Sequence, residues 1–117
     1  MDYTEGGIVI DATGREIIVG KYITPEGVEK PLYQKTIDFG ALPNNTYKYV
    51  SIGVPDLETV VSLWGITSTG YPLPFVYPST AYAIALQQEG TDVVITTIRD
   101  YSSITAIVTI QYTKTTD

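Results

Sequence analysis

The sequence predicts an all-β fold, built as a sandwich or barrel of short antiparallel strands. Three observations predict it. Apolar residues alternate with period two along most of the chain. Turn-prone stretches punctuate those runs: Pro25-Glu26-Gly27, Pro43-Asn44-Asn45, Pro55-Asp56, Thr69-Gly70 and Glu89-Gly90. No long stretch carries the 3.6-residue pattern of an amphipathic helix.

Each strand can be read in order. Ile8 to Ile10 and Ile17 to Tyr22 read as a hairpin around Ala12-Thr13-Gly14. Leu32 to Phe39 and Thr46 to Val54 are alternating segments. Thr59 to Ile66 carries Val60, Trp64 and Ile66 on one face and Val61 and Leu63 on the other. Apolar side chains on both faces predict a central strand, or one buried at a subunit contact. Ala81 to Gln87 has helix-forming residues, but Gly90 follows too soon, so it reads as a strand. Asp92 to Ile98 holds Val93, Val94 and Ile95 in a row, and Arg99 to Ser103 reads as the loop after it. The last strand, Ile104 to Tyr112, has an apolar face of Ile104, Ala106, Val108, Ile110 and Tyr112. Its other face is Thr105, Ile107, Thr109 and Gln111, with Ile107 as an apolar intruder. Residues 1–29 read as an N-terminal β-hairpin or arm, and residues 30–117 as the main sandwich domain.

Composition narrows the function classes. The 117 residues suit one domain. A net charge of −6 with seven Lys and Arg argues against nucleic acid and anionic membrane surfaces. No apolar run is long enough for a membrane span, so membrane insertion is not expected. The chain has no His and no Cys, which removes His-based triads, thiol chemistry and the usual transition-metal sites. Oxygen-only sites for calcium or magnesium stay open to this composition, but no motif calls for a metal or a cofactor. Ten Tyr against two Phe suit half-buried strand surfaces and interfaces.

Two motif-like stretches have simpler readings. Gly14 to Lys21 resembles a phosphate loop, with one residue too many between the glycines and Tyr22 where a Ser or Thr should stand. A strand between turn glycines accounts for it. Asn44-Asn45-Thr46 matches a glycosylation triplet, and a turn Asn before a strand Thr accounts for that. Asp38, Asp56, Glu58, Asp92 and Asp100 are available carboxylates. Glycoside hydrolysis needs a pair of them across a sugar. Each reads more simply as a solvated loop or strand-end charge, so no enzyme is expected.

Two stretches read as candidate ligand-binding loops. Tyr71-Pro72-Leu73-Pro74-Phe75-Val76-Tyr77-Pro78 is stiffened by three prolines and offers Tyr71 and Tyr77 as faces for sugar rings. Arg99, Asp100 and Tyr101 put a cation, a carboxylate and a phenol on one loop. Loops at the ends of a rigid scaffold are where binding usually sits.

The segment Tyr33-Gln34-Lys35-Thr36-Ile37-Asp38-Phe39-Gly40-Ala41-Leu42-Pro43-Asn44 resembles one common in tail fibres and minor structural proteins of phages and prophages of Gram-positive bacteria. Gly20-Lys21-Tyr22-Ile23 and Lys30-Pro31-Leu32-Tyr33 flank a longer insert, Thr24 to Glu29. Leu73-Pro74-Phe75-Val76 and the ending from Ser103 to Asp117 also match, so the resemblance spans roughly Val19 to Asp117. The chain departs from the pattern at Ile52-Gly53-Val54, where the family often has His-Gly-Ile, and around Ile98 to Ser102.

The resemblance implies a receptor-binding C-terminal domain on the virion tail. It implies a jelly-roll-like β-sandwich assembled as a homotrimer. It implies that the trimer attaches to host cell-surface polysaccharide or a teichoic-acid-like glycan. The alternatives are a purely structural trimerisation or capping domain, a small glycan-active depolymerase domain, and a free lectin-like module.

Overall fold

The computed structural model describes residues 14–75 and 82–116. Within them lie eight strands: β1 (Glu16–Ile23), β2 (Glu29–Ala41), β3 (Tyr47–Ser51), β4 (Leu57–Thr67), β5 (Pro72–Leu73), β6 (Ile84–Glu89), β7 (Asp92–Thr97) and β8 (Thr105–Lys114). They form two antiparallel sheets. One has five strands in the order β1-β2-β8-β4-β5, the other three in the order β3-β7-β6. The all-β reading of the sequence is what the chain adopts.

The core takes residues from both sheets. Ile37 and Phe39 of β2, Leu73 of β5 and Ala106, Val108, Ile110 and Tyr112 of β8 meet Ile84 of β6 and Val93 and Ile95 of β7 in one buried cluster. The apolar face read for the last strand is that buried face. β8 lies at the centre of its sheet and β7 at the centre of the other. Val93 and Ile95 face the core, while Val94 points to the other face, where it is buried between its cross-strand partners Tyr49 and Gln87.

The turns fall where the sequence placed them. In the β1–β2 hairpin, the Gly27 N–H donates to the Thr24 carbonyl at 2.8 Å, and the Val28 N–H donates to Thr24 Oγ1 at 3.1 Å. β1 includes Ile17 to Tyr22 and pairs along β2, as the edge strand of the larger sheet. Its other expected partner, Ile8 to Ile10, lies outside the described residues. The Gly14 to Lys21 stretch runs into this strand. Gly14 sits at a turn with φ 80°, but Gly20 lies inside β1, at a register shift after Ile18, and is not a turn glycine.

Of the register shifts in the larger sheet, two bear most on its faces. A bulge between Asp38 and Gly40 leaves Phe39 without a cross-strand partner and buries its ring. Lys48 caps that ring, with Nζ 5.0 Å from its centroid, and donates to the carbonyls of Phe39 (3.1 Å) and Ala41 (2.8 Å). Lys48 therefore faces inward between Tyr47 and Tyr49, whose rings meet edge to face at 5.5 Å. A second bulge, between Val60 and Ser62, breaks the period of β4. Val60 packs against the core, whereas Trp64 and Ile66 stay 40% and 46% exposed. The sequence had put all three on one face. Ile66 lies opposite Ile107 of β8, itself 43% exposed. The apolar intruder of β8 thus joins an exposed patch with Trp64.

Gly65 is needed where it stands. A Cβ there would lie 2.9 Å from the Ile107 carbonyl oxygen and 3.3 Å from Leu73 Cδ1. Having none lets the β8 backbone approach β4 closely and leaves room for the Leu73 side chain of β5.

An aromatic cleft beside the sheet crossing

Residues 72–75, the described part of the proline-rich stretch, bridge the larger sheet to the smaller one. β5 pairs with β4, and Phe75 then forms an isolated bridge with Ile84 of β6. The Phe75 N–H donates to the Ile84 carbonyl at 3.0 Å, and the Ile84 N–H returns a bond of 2.7 Å. This crossing borders an open cleft of about 730 Å³, lined by Thr69, Tyr71, Phe75, Tyr82, Arg99, Asp100, Tyr101 and Ile104. That volume lies within the ordinary range of small-ligand sites, roughly 300–1,000 Å³.

Four of the five residues singled out from sequence meet here: Tyr71, Arg99, Asp100 and Tyr101. They come from two loops nearly thirty positions apart. Tyr77 lies outside the described residues. Phe75 and Tyr82 belong to the cleft but were not chosen. Phe75 stood inside the quoted cluster, so proximity to Tyr71 was a usable signal. Tyr82 had none; it stands in an Ala-rich stretch just before β6.

One wall is held by the β4–β5 turn. The Thr67 side chain is buried, and its Oγ1 accepts the Tyr71 N–H at 2.9 Å and meets Thr69 Oγ1 at 2.9 Å. Tyr71 then stacks on Phe75 with centroids 4.6 Å apart and planes 15° from parallel. The result is a paired aromatic surface with Tyr71 43% exposed.

The other wall is the loop between β7 and β8, and the Pro43-Asn44-Asn45 turn holds it. The Pro43 carbonyl accepts the Tyr101 N–H (3.3 Å) and the buried Thr97 hydroxyl (2.9 Å). The Asn45 N–H donates to the Arg99 carbonyl at 2.9 Å, and Asn44 forms a bridge with Asp100. Asn45 sits at φ 53°, a conformation Asn tolerates better than most residues. The stretch from Ile37 to Asn44 therefore has two structural roles. Ile37, Phe39 and Leu42 fill the core, and Pro43 and Asn44 cradle the candidate site.

Within that loop the charged groups are differently engaged. The Asp100 carboxylate accepts the Ser102 hydroxyl (2.5 Å) and the Ser102 N–H (2.9 Å). These bonds, the hydroxyl first, hold its pKa below the ordinary value. The Arg99 guanidinium lies over the Tyr82 ring, 4.1 Å from the centroid. Its pKa is raised above the ordinary value, chiefly through Tyr82, with Tyr101 adding to the rise and burial opposing it. The Tyr101 hydroxyl donates to the Tyr82 carbonyl at 2.9 Å, which ties the loop to the segment just before β6.

The arrangement offers aromatic faces and a guanidinium around open space. Such a site can stack a ring and hold an acceptor group. Among the described residues, no cluster of three or more His, Cys, Asp or Glu is placed to hold a metal ion, and no helix is long and apolar enough to cross a membrane. Compared with known proteins, the chain matches no family model, no curated protein and no solved structure.

Proposed function

We propose that this chain is the receptor-binding domain of a phage or prophage tail fibre from the Gram-positive bacterial world, and that it attaches to host cell-surface polysaccharide or a teichoic-acid-like glycan. The observation that carries the reading is the gathering of Tyr71, Arg99, Asp100 and Tyr101 around one open, aromatic-walled cleft. The resemblance from Val19 to Asp117 supplies the biological setting. In this reading the two sheets form a jelly-roll-like sandwich that assembles as a homotrimer on the virion tail. Three weak sites on one tip, and several tips on one tail, turn modest single-site affinity into firm attachment.

The exposed patch of Trp64, Ile66 and Ile107 supports assembly. Copies that each carry −6 repel one another. Contact is cheapest through an uncharged surface, and Thr36 and Thr109, hydrogen-bonded at 3.2 Å, continue this one beside Trp64. The same patch also favours a second reading, a purely structural trimerisation or capping domain.

Light scattering over a range of concentrations, followed by binding assays on purified cell-wall glycans, separates them. A trimer that binds glycan without releasing product is the expected result. A trimer that binds none leaves the capping reading. A stable monomer removes the fibre-tip assignment. Trp64→Ser is expected to shift the trimer towards monomer while leaving the fold intact, read by light scattering and circular dichroism.

A further inference from the structure

We infer that the cleft selects an anionic saccharide, a sugar unit bearing a carboxylate or a phosphate, with Arg99 gripping the acid and the Tyr71–Phe75 pair carrying the ring. The inference rests on the glycan-binding reading above and narrows it to one chemical class.

Three observations lead there. First, Arg99 takes part in none of the ion pairs among the described residues, which join Lys21 to Glu29, Lys30 to Glu58 and Lys114 to Glu16. Asp100 is its neighbour in sequence, yet that carboxylate accepts both bonds from Ser102. Second, Tyr82 occupies one face of the guanidinium. The phenols of Tyr82 and Tyr101 are its side-chain partners, and neither carries a charge at neutral pH. With five N–H donors in a planar fork, the guanidinium has further donors for a carboxylate or phosphate edge. Third, two of the hydroxyls that could read a neutral sugar already have partners. The Tyr101 hydroxyl is spent on the Tyr82 carbonyl, and Thr69 Oγ1 lies against Thr67 Oγ1. A guanidinium in no direct ion pair, beside a stacked aromatic surface, fits a charged sugar better than a neutral one, although the Asp100 carboxylate shares the cleft. In a chain of net charge −6, such a local cation is also what lets an anion approach at all.

The test is a titration of the whole chain, followed by amide chemical shifts, with galactose, galacturonic acid, galactose 6-phosphate and inorganic phosphate. At least one acidic sugar is expected to bind about tenfold or more tightly than galactose, the size of a charge-assisted hydrogen bond. Which acid wins separates the carboxylate from the phosphate, and either supports the inference. Arg99→Gln should abolish the preference, and Arg99→Lys should restore part of it, with both variants melting as the wild type does. Galactose binding as tightly as its acids would overturn the inference and leave the glycan reading standing. Phosphate alone binding as well as galactose 6-phosphate would overturn the sugar part of it. No binding by any of the four, while purified cell-wall glycan still binds, would overturn the inference and leave the glycan reading standing.

Discussion

Two corners of this molecule are made from the same ingredients and wired in opposite ways. Each has stacked aromatic rings, a cation over a ring and a nearby carboxylate. In the corner where β1, β2 and β8 run side by side, Tyr33 stacks on Tyr112 at 5.9 Å and 19°. Lys114 lies 4.5 Å from the Tyr33 centroid and donates to Glu16 Oε1 at 2.6 Å. The Tyr112 hydroxyl donates to the other oxygen of the same carboxylate. Cation, carboxylate and phenol all satisfy one another. In the cleft, Arg99 covers Tyr82 and Tyr71 covers Phe75, but Asp100 is bound to Ser102 instead of to the cation. A closed polar circuit holds strands together. An open one leaves binding capacity for something else. The same side-chain types thus mark structure in one place and a candidate site in the other, and only their connections tell which.

The comparison makes unequal predictions for the two corners. The largest effect is expected at Tyr112, which is fully buried. Tyr112→Ala should cost about 3–5 kcal/mol of stability, the usual range for emptying a large aromatic site, measured by urea unfolding. A loss below about 1 kcal/mol would mean that the closed corner is not structural.

Next comes Glu16→Gln. It strips the counterion from Lys114 while leaving an acceptor for Tyr112, and a loss of about 1 kcal/mol is expected, since both ionic side chains remain partly exposed. Tyr71→Ala should behave in the opposite way. Its melting transition should stay within about 0.5 kcal/mol of wild type, while glycan binding weakens several-fold through loss of the stacking face.

The smallest and broadest effect is on pH dependence. Burial first, and the Glu16 carboxylate second, push the Tyr112 phenol above its ordinary value. Glu16 also raises Lys114. Both groups bind protons more tightly when folded, so their stabilisation is complete below the unfolded values near pH 10 and is lost as pH rises beyond them. Asp100 is shifted down, with the Ser102 hydroxyl as the leading cause. Its contribution is present above the unfolded value near pH 4 and is lost as pH falls through the folded one. Chemical denaturation as a function of pH should therefore show the closed corner on the alkaline side. The cleft loop should show only a slight effect on the acid side, shared with Asp56 and Glu58, which Thr116 and Lys30 hold down.

The difference between the corners also sets how much could be read from sequence. Period-two alternation identified β8 and its buried face, because burial and alternation have the same cause there. It failed on β4, where a bulge moved Val60 and Trp64 to opposite sides without any mark in the residue types. Turn chemistry placed the loops, and residues at loop tips gave four members of the cleft. Tyr82 escaped notice because its place depends on the Phe75–Ile84 crossing, a contact between chain segments that no local pattern encodes. The closed corner was equally hidden. Glu16 and Lys114 are 98 positions apart, and nothing in either segment names the other.

The central claim is that the cleft is the attachment site. The direct measurement is a map of amide chemical-shift changes when the labelled chain is titrated with cell-wall glycan fragments from Gram-positive bacteria. The account predicts changes concentrated at Tyr71, Phe75, Tyr82, Arg99 and Tyr101, with Glu16, Tyr33, Tyr112 and Lys114 unmoved. Saturable changes centred elsewhere, or none with any fragment, would contradict it.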